Sequence, residues 1–116
     1  MNQDNLEAVT GQCHCGSVKY KAQLPIVSSD YCNCLACQKA TGSFEVPFVA
    51  VYADKFQILS GQIASFRADH GEGCDADGTW YFCPKCGTQI YWKEDEAEAL
   101  TIFAGTLDDI RLFQSA

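Results

Sequence analysis

Val18, Tyr20 and Ala22 alternate with Lys19, Lys21 and Gln23. A period of two sends successive side chains to opposite faces, so this segment reads as a strand with one buried side, ended by Pro25. Residues 29–34 read as a second strand. Residues 44–52 read as a third, with Pro47 marking an edge or a bulge because proline cannot donate to a ladder. Residues 55–59 alternate again, Ser60-Gly61 makes a turn, and 63–67 continue as a strand. Residues 79–83 and 88–93 flank a tight turn as a hairpin, and 100–104 form the last strand. Only 35–40 depart from this pattern, reading as one or two helical turns stopped by Gly42. The acidic run 94–98 reads as a solvated turn. Residues 69–78, with four acids and three glycines, read as an exposed loop. The pattern predicts an all-β fold.

At 116 residues the chain has room for one domain, taken as 1–116, and one core. With 47% hydrophobic and 20% charged residues its composition is globular, not disordered. No stretch approaches the roughly 20 apolar residues of a membrane span. The start, Met1-Asn2-Gln3-Asp4-Asn5-Leu6, has neither the basic nor the apolar segment of a secretory signal. A cytoplasmic location with no membrane association is expected. Net charge is −7, a field that repels phosphate backbones, so nucleic acid is not an expected partner.

Cysteine changes the picture. The chain has eight, an even number that in an exported domain would point to disulfides. Cytosolic thiols stay reduced, and seven of these eight fall into three tight groups: Cys13 and Cys15, then Cys32, Cys34 and Cys37, then Cys83 and Cys86. Neighbours that close make strained disulfides and good chelates. Thiolates are soft ligands, and a closed four-sulfur zinc site is their commonest structural use. Cys83-Pro84-Lys85-Cys86-Gly87 has the form of a zinc knuckle, with Gly87 taking the positive φ that lets the chain leave. Cys13 and Cys15, at i and i+2 of an extended segment, would share one face and supply the other two sulfurs. Cys32, Cys34 and Cys37 number three, the count of a catalytic zinc site with one position open. Three alternatives stand beside that reading. Cys74 or a histidine closes the site, one site draws on mixed cysteines, or the trio holds iron.

These residues resemble the glutathione-dependent formaldehyde-activating (GFA) family, which includes centromere protein V. The resemblance rests on Gly11-Gln12-Cys13-His14-Cys15-Gly16-Ser17-Val18, Cys32-Asn33-Cys34-Leu35-Ala36-Cys37, Gly42-Ser43, Tyr81-Phe82-Cys83-Pro84-Lys85-Cys86-Gly87-Thr88 and Ala104-Gly105-Thr106-Leu107-Asp108-Asp109. These motifs span about residues 10–110, and against the family pattern the chain looks short at its C-terminus. The resemblance implies small stacked antiparallel sheets of the β-tent type, stapled by zinc. It implies two zinc ions, a structural one on Cys13, Cys15, Cys83 and Cys86 and a catalytic one on Cys32, Cys34 and Cys37. It also implies a carbon–sulfur lyase-like enzyme acting on the adduct of a small thiol, such as glutathione, and a small aldehyde, such as formaldehyde. A zinc-stabilised protein-binding module without turnover is the alternative. Two features depart from the family pattern. Gln38-Lys39 stands where members often carry two arginines, and Ile110 stands where proline usually follows the Asp-Asp pair.

Other residues have plainer readings. Gly42, Ser43 and Lys39 are candidates for a thiol-substrate pocket, with a simple turn as the competing reading for the first two. His14 should face away from the ligands between which it lies, and His70 should be solvated in the acidic loop. Cys74 reads as a free loop cysteine before it reads as a ligand or a redox-reactive thiol. Phe44, Phe48, Trp80, Tyr81 and Trp92 could wall a pocket, with core packing expected for most. Asp108 and Asp109 read as turn or cap residues.

Overall fold

The computed structural model describes residues 8–68 and 71–113. His70 lies outside the described residues. Among the described residues, nine strands form two antiparallel sheets. The smaller has the order β1 (Ala8–Gln12), β2 (Lys19–Gln23), β5 (Phe56–Ser60). The larger has the order β3 (Ser28–Cys32), β4 (Val46–Tyr52), β9 (Ala99–Phe103), β8 (Gln89–Glu94), β7 (Gly78–Phe82), β6 (Ala64–Phe66). One helix, α1 (Leu35–Thr41), joins β3 to β4. None of the described helices is long and apolar enough to cross a membrane. The all-β expectation holds.

The two faces of the six-stranded sheet have different work. Val49, Val51, Leu100 and Ile102 point toward the small sheet, where they meet Val9, Val18, Tyr20 and Ala22 in the main core. Ile90 joins them because the β7–β8 register shifts between Tyr81 and Phe82. Such a bulge turns an extra side chain inward. On the opposite face Val46, Trp80 and Phe103 pack with Ala36 and Cys37 of α1, forming a second, smaller core. Trp80 and Phe103 stack with centroids 5.9 Å apart and planes at 5°. Cys32, Cys34, Cys37 and Cys74 pack on this second face.

Three local expectations change. The segment carrying Cys13 and Cys15 is the tight β1–β2 turn, not extended chain. Cys13 N–H donates to Val18 C=O and Gly16 N–H to Cys13 C=O. The turn, rather than strand alternation, brings the two sulfurs together. Pro47 lies in β4, an interior strand. It is tolerated there because β4 pairs with β9 only from Phe48 onward, leaving Pro47 opposite Tyr31 alone. Finally, β1 was not read as a separate strand. Its outer edge is covered by a bridge from Gly11 to Leu107 and by Asp108 N–H donating to Thr10 C=O.

Helix α1 ends as its sequence dictates. Gly42 takes φ 77° and its N–H donates to Gln38 C=O, the left-handed C-terminal arrangement that glycine favours. Gly11 is required for another reason. It faces Tyr20 across the β1–β2 ladder, and a side chain there would collide with the Tyr20 hydroxyl and the Thr106 carbonyl. That hydroxyl bonds Thr106 Oγ1 at 2.7 Å, and Thr106 Oγ1 donates to Phe103 C=O.

Packing should outweigh that buried hydrogen bond. In zinc-loaded protein, Ile90→Ala is expected to cost about 2–5 kcal/mol. Tyr20→Phe, which keeps the ring, should cost about 1 kcal/mol. Denaturant midpoints of the two variants check the order.

Candidate metal centres

The first cluster unites two turns. Cys13 and Cys15 come from the β1–β2 turn, and Cys83 and Cys86 from the turn between β7 and β8. Gly87 takes φ 80° and its N–H closes the turn on Cys83 C=O at 2.8 Å. Cys13 Sγ lies 3.6 Å from Cys15 Sγ, and Cys15 Sγ lies 3.8 Å from Cys83 Sγ. A tetrahedral zinc with bonds of about 2.3 Å requires sulfur–sulfur edges of about 3.8 Å, so the donor set fits the ion. A disulfide needs about 2 Å, and all eight cysteines are free. Backbone and hydroxyl donors already serve the sulfurs. Val18 N–H donates to Cys13 Sγ. The Thr88 hydroxyl and backbone bring the Cys86 thiol down to about 5, toward the thiolate that a metal needs. His14 is exposed and is not among the ligands; its N–H donates to Thr88 Oγ1.

The second cluster has four sulfurs. Cys32 ends β3, Cys34 caps α1 and accepts from Cys37 N–H, and Cys37 lies in the first turn of the helix. Cys74 joins them from the acidic loop, so the expectation of a free loop cysteine is corrected. Its sulfur lies 3.4 Å from Cys37 Sγ and 4.0 Å from Cys32 Sγ, and Cys37 Sγ lies 2.9 Å from Cys32 Sγ. Donation to Cys74 and burial hold the Cys37 thiol far above its usual range. Accepting that bond draws Cys74 down to about 6. The separations bracket a tetrahedral edge, and four thiols of this kind suit zinc.

The loop meets the cluster where two indoles, Trp80 buried and Trp92 half-buried, find their acceptors. Trp92 Nε1 donates to Cys74 C=O at 2.8 Å, and Trp80 Nε1 donates to Asp75 Oδ1 at 2.9 Å. Residues Gly73–Asp75 form a 3-10 turn. Gly73, at φ 59°, backs onto Cys34. Gly78 carries no side chain where one would strike the Trp92 indole. The glycines that mark this segment as loop therefore also permit its close approach.

Cys32, Cys37 and Cys74 form one end of a cavity of about 150 Å³. Its walls are Val46, Phe48, Trp80, Trp92, Thr101 and Phe103, all from one face of the adjacent strands β4, β9, β8 and β7. Phe48, Trp80 and Trp92 thus serve as a pocket wall, while Phe44 is 85% exposed and Tyr81 stacks on Tyr91. Thr101 and Phe103 were not singled out in sequence. Their only signal is the i, i+2 spacing they share, which is common to every strand.

Gly42, Ser43 and Lys39 do not line this cavity. Gly42 is the helix cap, and Ser43 Oγ donates to Glu45 C=O at the edge of a larger hollow of about 700 Å³. Lys39 lines a third hollow, with Asp75 and Phe66. Gln38, in the position of the first family arginine, gives its amide N–H to Phe44 C=O. Asp109 caps the turn Ile110–Leu112 and pairs with Arg111, and Asp108 accepts from Thr10 Oγ1. Asp109 matches the cap reading, whereas the Asp108 side chain bonds across to β1.

Elemental analysis is expected to find two zinc ions per chain. Cys86→Ala should leave one and lower the melting temperature sharply, because it unties two hairpins. Cys37→Ser should also leave one, with the smaller thermal loss.

The chain matches the family model described as glutathione-dependent formaldehyde-activating enzyme over residues 8–116. No curated protein matches it. Among solved structures it is similar to a Rhodobacter sphaeroides protein whose crystal structure was determined as a structural-genomics target. The identity is 17%, the TM-score 0.66, and the match covers 85% of this chain and 87% of that one; at that identity the likeness is one of fold. With seven of the eight clustered cysteines at the positions of the sequence motifs, and the family model matching from residue 8 to residue 116, the chain belongs to the glutathione-dependent formaldehyde-activating enzyme family.

Proposed function

We propose that the chain is a zinc enzyme that makes or breaks the carbon–sulfur bond between a small thiol and a small aldehyde. One observation carries this reading: three sulfurs of the second cluster open onto a cavity walled by aromatic side chains. The first cluster ties two hairpins together and is assigned the structural zinc on Cys13, Cys15, Cys83 and Cys86. Cys32, Cys34 and Cys37 are assigned the catalytic zinc. Residues 1–116 are taken as one domain. Eight free thiols suit a reducing compartment such as the cytoplasm, and the net charge of −7 argues against nucleic acid as a partner.

Zinc held at this site would supply the positive charge that keeps a thiol ionised near neutral pH. The chain does the rest by position. The end of β3 and the first turn of α1 hold Cys32, Cys34 and Cys37, so these sulfurs are fixed by regular backbone. Cys74 rides on a short turn held by two indole hydrogen bonds, and of the four sulfurs it is the one that would leave room for a substrate thiol. Thiolate sulfur then attacks the carbonyl carbon. The carbon–sulfur bond forms as the carbonyl π pair moves to oxygen, which takes up the proton the thiol released. The apolar walls exclude water, which would otherwise hydrate the aldehyde.

The fourth sulfur also supports a second reading. If Cys74 stays in place, the site is closed, as structural zinc sites are, and the chain is a binding module without turnover.

Zinc-replete protein, formaldehyde and a panel of thiols including glutathione, followed by NMR exchange, separate the two. On the enzyme reading Cys37→Ser lowers exchange by at least about 100-fold. Cys74→Ser keeps or raises it. Absence of exchange with every thiol, together with loss of the second zinc in Cys74→Ser, would establish the module instead.

A further inference from the structure

We propose that the cavity beside Cys32, Cys37 and Cys74 binds the apolar body of an uncharged aldehyde no larger than about a benzene ring. The assignment of the bound molecule as an aldehyde rests on the carbon–sulfur reading; the size and polarity of the cavity do not.

Size is the first argument. A cavity of about 150 Å³ with apolar walls stays dry and holds a molecule the size of benzene. This one has that volume. Formaldehyde alone would leave most of it empty. Shape is the second argument. Trp80 and Phe103 lie nearly parallel, and Trp92 is tilted at 56° to Trp80 with centroids 6.4 Å apart. Such walls suit a flat ring by offset and edge-on contact.

Charge is the third argument, and it separates this cavity from a site for a whole peptide thiol. Among the described residues, no Lys, Arg, Asp or Glu side chain lines it. Both indole N–H groups are committed to the Cys74 turn, and Thr101 brings the one hydroxyl of the wall. Burying a carboxylate there would go uncompensated. The nearby turn adds Asp75, and Lys39 faces a different hollow. The two carboxylates of a molecule such as glutathione must therefore stay outside. Only an uncharged group fits within, with its carbonyl at the sulfur end. Addition of a thiol there forms one carbon–sulfur bond, moves the carbonyl π pair to oxygen and returns the thiol proton to that oxygen, with no oxidant or reductant.

Benzyl alcohol, an unreactive analogue of benzaldehyde, tests the site in zinc-loaded protein labelled with nitrogen-15. The chain has two tryptophans, and both line the cavity, so both indole N–H signals should shift saturably. Benzoate, of similar size but charged, should bind at least about tenfold more weakly, a difference of about 1.4 kcal/mol. Thr101→Phe fills the cavity from β9 and should weaken benzyl alcohol at least about tenfold, with zinc content and circular dichroism unchanged. Should that variant fail to fold, Phe48→Ala enlarges the cavity and should shift preference toward 2-naphthalenemethanol.

Indole signals that do not move, equal binding of benzoate, or no change of affinity or preference in a folded variant would overturn the proposal. Benzyl alcohol binding without benzaldehyde–thiol turnover would uphold the cavity as an uncharged-ring site and overturn the enzymatic reading. Turnover of formaldehyde with no benzyl alcohol binding would do the reverse.

Discussion

A buried indole N–H must have an acceptor, and that requirement organises the cavity side of the large sheet. Trp80 and Trp92 are paired across β7 and β8, on the face of the large sheet turned away from the main core. Trp80 is almost wholly buried. Leaving its N–H unpaired would cost about 1–3 kcal/mol, and the half-buried Trp92 adds a second donor beside it. Their acceptors, Asp75 and the Cys74 carbonyl, lie on one short turn of an otherwise acidic, glycine-rich loop. Satisfying the tryptophans thus draws in the loop, and with it the fourth sulfur.

The two metal centres divide along the same line. One joins the ends of two hairpins from different sheets, where local covalent spacing and a tertiary contact agree. For a domain of this size, whose buried surface leaves a small net stability, such a staple complements the core. The other is built against a sheet face that carries aromatic side chains and a cavity, with three ligands from regular structure and one from the tethered loop. One cluster thus ties the turns of the two sheets together, and the other lies against the outer face of the six-stranded sheet.

Much of this was legible from residue order. Alternation marked most strands to within a residue or two, and Gly42 marked the end of α1. Cys83-Pro84-Lys85-Cys86-Gly87 gave its own turn, because proline and a left-handed glycine leave the backbone little choice. The family motifs carried the pairing of Cys13 and Cys15 with Cys83 and Cys86. Less was legible where the outcome depends on partners. The extended geometry assigned to Cys13 and Cys15 was a turn, since the hairpin, not the local pattern, sets their separation. Pro47 looked like an edge residue, yet it lies in an interior strand whose second neighbour begins one residue later.

Spacing along the chain determined that seven cysteines act in groups, because residues two or three apart cannot move far from each other. It determined the all-β class and the knuckle for the same local reason. The role of Cys74 was decided only in three dimensions. It lies 37 residues from Cys37 in sequence and 3.4 Å from it in space. No local preference closes that distance. Two indole hydrogen bonds and two glycines without side chains in the way do.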